Sequence, residues 1–170
     1  WCIVGHWPVT LYHPHVPSAA PLLAEGRHIA SIDGGCSLKV DGQLNALVLP
    51  ERPGGAFSWF AYDGLPTATA LDPQAPSADS VNIRWGRNAL EVLERGAELS
   101  LCRHLETGRV LEVLTEYLYV DRGVTRCEDS TDYRLAVRPG DTLSVVRRIS
   151  DRALVKKDGV TGWYFGRLAH

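Results

Sequence analysis

The chain of 170 residues contains no methionine, not even at position 1. It opens on Trp1-Cys2-Ile3-Val4, residues suited to a buried strand, whereas natural termini are commonly frayed and polar. The expectation is a piece of a longer protein. No run of about 18 apolar residues occurs, so no membrane-spanning helix is expected, and no basic-then-apolar leader is visible. The four cysteines, Cys2, Cys36, Cys102 and Cys127, form no CxxC pair and no zinc-ribbon spacing. They read as reduced thiols of a cytoplasmic protein, with Cys2 packed in a core and Cys102 on a strand. An excess of basic charge is missing too. Eighteen Lys and Arg stand against 20 Asp and Glu, for a formal net charge of −2, which leaves little to neutralise a nucleic-acid backbone. The basic pairs Arg147-Arg148 and Lys156-Lys157 read as solvated strand residues.

What is present reads mainly as β-structure. Residues 1–4 form an apolar run that ends at Gly5-His6. Pro8, Pro14, Pro17 and Pro21 forbid a long helix over 7–27, leaving room for one helical turn near 19–24. A strand over 28–32 is stopped by Asp33-Gly34-Gly35. Residues 36–40 and 43–49 flank Asp41-Gly42, a two-residue hairpin signal, and 44–49 fits a mostly buried strand. The stretch 50–56, with Pro50, Pro53, Gly54 and Gly55, reads as a turn or boundary. Residues 57–80, rich in proline and small side chains, read as a linker or long loop. From 81 to 130 the pattern is a meander, with strands at 81–85, 89–94, 97–104 and 109–119; the stretch 89–95 also suits a short helix. Residues 131–170 show short alternating strands and tight turns, as in a small barrel.

His6 directly follows a strand and a glycine. That places its imidazole at a strand's carboxyl end, where it can point out of the sheet toward a ligand, and neutral imidazole suits zinc, manganese or iron. A lone histidine is more often structural. The surrounding residues add to this: Gly5-His6-Trp7-Pro8-Val9-Thr10 resembles the Gly-His-Thr-Pro-Thr element of bacterial enzymes in the phosphoprotein-phosphatase branch of the calcineurin-like metallophosphoesterases. Ile29-Ala30-Ser31-Ile32-Asp33-Gly34-Gly35-Cys36 looks like the next element of that family, Ile-Asp-Thr-Gly-Ala. Gly42-Gln43-Leu44-Asn45-Ala46-Leu47-Val48-Leu49 is similar to its closing Gly-x-Leu-x-x-Leu strand. Two departures stand out: Trp7 replaces the usual Thr, and Gly34-Gly35 stands where Thr-Gly is common.

The resemblance covers residues 1 to about 50. It implies the C-terminal strands of a metallophosphoesterase sandwich over 1–56, with His6 binding one metal of a divalent pair (Mn, Fe or Zn). The substrate implied is a phosphorylated protein or small phosphoester. The family's other ligand motifs, Asp-x-His, Gly-Asp-x-x-Asp, Gly-Asn-His and a further His, occur nowhere in the chain. Two-metal hydrolysis needs several carboxylates and imidazoles, so the chain alone is expected to be inactive while its parent hydrolyses phosphate monoesters. Asp33 has two readings: it orients a metal-bound water or ligand imidazole, or it caps backbone amides in an Asp-Gly-Gly turn. His13 and His15 sit on alternate positions of an extended segment, a poor arrangement for chelating one ion. Cys2 and Cys36 lack the neighbouring base that a nucleophile needs.

Residues 131–168 resemble bacterial SH3-like modules through Val137-Arg138-Pro139-Gly140-Asp141-Thr142-Leu143 and Gly159-Val160-Thr161-Gly162-Trp163-Tyr164-Phe165-Gly166. In such modules a Gly-Trp pair lies beside a groove, so Trp163 and Tyr164 are candidates for gripping a peptide or glycan. The other reading is that both complete a core. A non-enzymatic binding module over 81–168, and an accessory segment without a ligand, remain as alternatives to the phosphatase. If the N-terminal strands lack their sheet neighbours, their edges are expected to be exposed and 81–170 to fold more robustly than 1–50.

Overall fold

The computed structural model describes residues 1–52 and 54–169; Pro53, within the turn expected over 50–56, and His170, the end of the expected barrel, lie outside the described residues. In chain order the strands are β1 (Cys2–Val4), β2 (Leu22–Ala24), β3 (Ile29–Ser31), β4 (Leu44–Val48), β5 (Ser58–Tyr62), β6 (Thr67–Ala70), β7 (Asn82–Ile83), β8 (Leu90–Glu94) and β9 (Leu99–His104). They continue as β10 (Val110–Leu114), β11 (Leu118–Asp121), β12 (Val124–Cys127), β13 (Ser130–Thr131), β14 (Thr142–Arg148), β15 (Ala153–Lys157), β16 (Val160–Tyr164) and β17 (Leu168–Ala169). Short 3-10 turns cover Val9–Tyr12, Glu25–Arg27 and Thr115–Tyr117. The chain is mainly β, and among the described residues no helix is long and apolar enough to cross a membrane.

The N-terminal sheet has the order β1-β3-β2. β1 runs parallel to β3, with Cys2 opposite Ile29 and Val4 opposite Ser31, and β2 runs antiparallel to it. Residues 22–24 are thus extended where a helical turn had room. Pairing with β3 satisfies their backbone groups, which an isolated turn would leave largely open. Residues 36–40 are turns rather than the first arm of a hairpin, because β4 takes β5 as its antiparallel partner, Leu44 opposite Tyr62 and Val48 opposite Ser58. β4 is also not mostly buried. Its polar residue Asn45 faces inward, while Leu44 and Val48 face out. The Asn45 amide donates to the carbonyls of Ala19 (2.8 Å) and Ile32 (2.9 Å) and accepts from Gln43 Nε2 (2.6 Å), so the inward face is held by hydrogen bonds.

The middle of the chain is a meander of β10-β9-β8 with the hairpin β11-β12 and the short pair β13-β7. Residues 90–94 are strand, not helix, and Val81, Ile83, Leu90, Cys102, Leu111, Val113 and Cys127 form its core. The strand expected over 109–119 breaks at Thr115. Its Oγ1 donates to Gly96 O (2.9 Å) and shares a hydrogen bond with Ser100 Oγ (2.8 Å), a side-chain competition that interrupts a ladder.

The C-terminal sheet has the order β16-β15-β14-β6-β17 and is antiparallel throughout. No pairing of β16 with β17 closes it into a barrel among the described residues. Residues 57–80, expected as a linker or long loop, contain β5 and β6, and β6 lies inside this sheet with Thr69 opposite Thr142. Leu143, Val155, Tyr164 and Ala70 are fully buried at its centre. Each fully buried large apolar side chain contributes about 1.5–3 kcal/mol. A smaller cluster of Leu114, Leu154 and Trp163 joins sheet and meander. Among the described residues, the three apolar clusters draw their buried members from residues 68–164.

Candidate functional site

Parallel pairing brings the carboxyl ends of β1 and β3 to one side, carrying His6 and Asp33 with them. Ligands of parallel sheets gather at such ends. Beyond the ladder, Ile32 N donates to Val4 O (3.0 Å) and Val9 N to Asp33 O (2.8 Å), so the segments after the two strands are tied together. The imidazole of His6 is exposed. The turn is made by His6 itself, with φ 71°, and not by Gly5. A left-handed histidine is uncommon. Asp33 Oδ1 accepts from Gly35 N (2.8 Å), which makes it the capping group of the Asp-Gly-Gly turn, and no hydrogen bond joins it to His6 among the described residues.

The turn is built for close approach. A Cβ on Gly34, where the resembled family commonly has Thr, would lie 2.2 Å from Gln43 O, and one on Gly42 would lie 2.2 Å from Gly35 O. Two glycines therefore let residues 33–36 and 41–43 stack directly, with Gln43 N donating to Gly34 O (3.0 Å).

A buried ionic cluster latches this turn to the rest of the molecule. Lys39 Nζ pairs with Asp129 and lies 3.2 Å from Asp41 Oδ1. Asp41 Oδ2 accepts from Thr161 Oγ1 (2.7 Å), and Asp41 O accepts from Lys156 Nζ (2.8 Å), which also lies 3.7 Å from Asp63. Lys156 is therefore buried rather than solvated, its ammonium lying between the Asp41 carbonyl and the Asp63 carboxylate. Burial pushes the Lys156 ammonium below its ordinary value despite the charges of Asp41 and Asp63. For Lys39 burial acts in the same direction, but the charges and hydrogen bonds of Asp41 and Asp129 outweigh it and raise the pKa. Burial would raise Asp41; the charge of Lys39 and the bonds from Thr161 and Lys39 hold it below the ordinary carboxylate range. Lys39 and Asp129 are 90 residues apart, and no spacing in the sequence signals their meeting.

The remaining candidates fall elsewhere. Trp163 is nearly buried, donates Nε1–H to Thr131 O (2.9 Å) and packs with Leu114 and Leu154. Tyr164 is fully buried, and its hydroxyl donates to Asp72 O (2.7 Å). The two side chains thus occupy core positions. His15 Nδ1 lies 3.1 Å from Ser80 O, and His13 O accepts from Asn82 Nδ2 (2.7 Å). None of the four cysteines is bonded to another; Cys102 and Cys127 are buried, Cys36 is exposed in the turn after β3, and Cys2, expected in a core, is exposed because both faces of β1 are open. No cluster of three or more His, Cys, Asp or Glu able to hold a metal occurs among the described residues. No family model, curated protein or solved structure matches the chain.

Proposed function

We propose that residues 1–56 are the closing strands of a calcineurin-like metallophosphoesterase sandwich, and that the chain is the C-terminal part of a metal-dependent phosphatase acting on phosphate monoesters, followed by an SH3-like module. The observation that carries this reading is the arrangement of His6 and Asp33 at neighbouring carboxyl ends of a parallel strand pair, in the order and spacing of the resembled family. The exposed apolar residues of β1, β4 and β5 support it, since Ile3, Val4, Leu44 and Phe60 suit a sheet that packs against further structure.

His6 is suited to hold one ion of a Mn, Fe or Zn pair by a ring nitrogen. The chain does not fit the full pair: one imidazole, with Asp33 engaged in its turn, is not a donor set for two divalent ions. No hydrolytic step is assigned to the chain alone. When bound, such a pair would activate a water and stabilise the phosphoryl oxygens. The test is turnover of p-nitrophenyl phosphate with Mn²⁺, Fe²⁺ or Zn²⁺. The 170-residue chain is expected to be silent. The longer protein is expected to be active and to lose about 100-fold or more on His6→Asn, as for loss of a metal-supporting group. Turnover by the chain alone, or a His6→Asn parent with unchanged activity, would reject the reading.

A further inference from the structure

A cavity of about 480 Å³ opens where the N-terminal turn, the meander and the C-terminal sheet meet. Its volume lies in the range of small-molecule sites, roughly 300–1,000 Å³. Much of the wall is aromatic: Trp7, Trp85, Tyr117, Tyr119 and Trp163 all line it. Trp7 and Trp85 meet edge to face with centroids 6.0 Å apart.

The charges on the wall are one-sided. Asp41, Glu112, Glu128 and Asp129 line the cavity, against the single ammonium of Lys39 and the imidazole of His6. Lys39 is already held between Asp41 and Asp129, so no free ammonium is left to receive an anion. Glu112 is paired with Arg152 (2.7 Å), whereas the carboxylate of Glu128 has no ion-pair or hydrogen-bond partner among the described residues. The hydroxyl of Tyr117 likewise has no hydrogen-bond partner among them. Burial first, and then the charges of Asp41 and Glu116, push it up to about 12, so it stays a neutral phenol in a negative field. Asn82 is almost wholly buried, with its Nδ2 donating to Thr10 O (3.0 Å) and His13 O (2.7 Å), which leaves Oδ1 as an acceptor.

We infer that this cavity binds a small organic cation, a quaternary or alkylated ammonium carrying an apolar body, with its charge against the Trp7–Trp85 pair and the Glu128 side of the wall. Aromatic faces attract such cations through their quadrupoles. A weakly hydrated alkylammonium can leave water for this wall where a metal ion, finding no ligand cluster, cannot. A phosphate or carboxylate ligand would meet the unpaired carboxylate of Glu128 and, among the described residues, no free cation, since Lys39 is engaged by Asp41 and Asp129 and Arg152 by Glu112. The inference does not rest on the phosphatase reading, since none of these groups is assigned a part in hydrolysis except His6, which stands on the wall without carrying the argument.

The test uses the full chain and two probes, choline and its uncharged isostere 3,3-dimethylbutan-1-ol, titrated by tryptophan fluorescence and by indole N–H shifts in NMR. Choline is expected to bind saturably and the isostere at least several-fold more weakly. Trp85→Ala is expected to weaken choline by about three- to thirty-fold, the span of one cation–π contact. Trp85 is 67% exposed, so its loss spares the core. Glu128→Gln should weaken choline and leave the isostere unchanged, whereas Phe60→Ala, at an exposed strand residue that does not line the cavity, should change neither. Equal affinity for the two probes, no saturation, or undiminished binding in both Trp85→Ala and Glu128→Gln would overturn the inference. None of these readouts needs metal or turnover, so failure here is distinct from failure of the phosphatase reading.

Discussion

Leu44 of β4 and Leu143 of β14 are both leucines on antiparallel strands, yet the first is 61% exposed and the second fully buried. The contrast extends to the regions around them. From residue 68 onward, alternating strands pack their apolar sides into shared clusters that also join meander and sheet. Before residue 51 the chain is ordered by polar devices: the Gln43–Asn45 amide pair, two glycines stacked without room for a Cβ, and a lysine clamped by two aspartates. Hydrophobic burial is non-directional and tolerant of small changes, whereas these devices act only in one geometry. The N-terminal region is therefore positioned accurately on the rest of the molecule while adding little apolar core to it.

The sharpest way to break the comparison is by matched truncations. Leu143→Ala is expected to cost about 2–5 kcal/mol in global stability. Leu44→Ala is expected to fall within about 0.5 kcal/mol, as for surface changes. Urea unfolding of the two variants reads the difference directly, and similar losses would show that the N-terminal strands carry more of the core than their exposure implies. Next in size is the latch. Lys39→Ala strands two carboxylates that are mostly buried, at a cost of about 3 kcal/mol. The loss should be local, with hydrogen exchange accelerating at residues 35–43 before it does at 143–164; uniform acceleration would mean that the two regions unfold as one.

The smallest effect is on pH. Because the folded state holds Asp41 below its ordinary 3.8, its contribution is complete above that value and is lost as pH falls through the depressed one. Exchange at 35–43 should rise in that acid window, and Asp41→Asn should flatten the rise. The C-terminal sheet has its own depressed carboxylate, Asp72, held at about 2 by hydrogen bonds from Arg167, but that is a surface pair screened by solvent and should contribute little. The alkaline side is less informative: the raised Lys39 loses stability above 10.5, while the lowered Lys156 regains it as pH approaches 10.5, so the two oppose each other.

Local patterning made much of this architecture legible. The mainly β character, the alternation of β14 and the turns at Asp33-Gly34-Gly35 and Arg138-Pro139-Gly140 follow from period-two apolar residues and turn chemistry. Pairing across long separations did not follow. Asp41-Gly42 signalled a hairpin, but β4 pairs forward with β5, and the glycine serves a close backbone approach instead. Residues 44–49 read as a mostly buried strand, yet its inward-facing anchor is the polar Asn45, because its amide has two carbonyls to reach. Lys156 looked like one of two solvated lysines, but the segments carrying Asp41 and Asp63 converge on it. At the candidate site, position 6 was legible as the residue after a strand; its left-handed backbone was not, and the aromatic cavity beside it is lined by Trp85 and Asp129, far away in the chain.

The placement of β6 has a consequence for biosynthesis. It is translated 72 residues ahead of β14, roughly 4–14 s at ordinary elongation rates, yet it ends up between β14 and β17. A ribosome stalled anywhere between residues 71 and 141 therefore holds a nascent strand with neither of its mates. Genetic dissection meets the same constraint, since a fragment beginning after residue 70 would lack an interior strand of the final sheet rather than trim its margin.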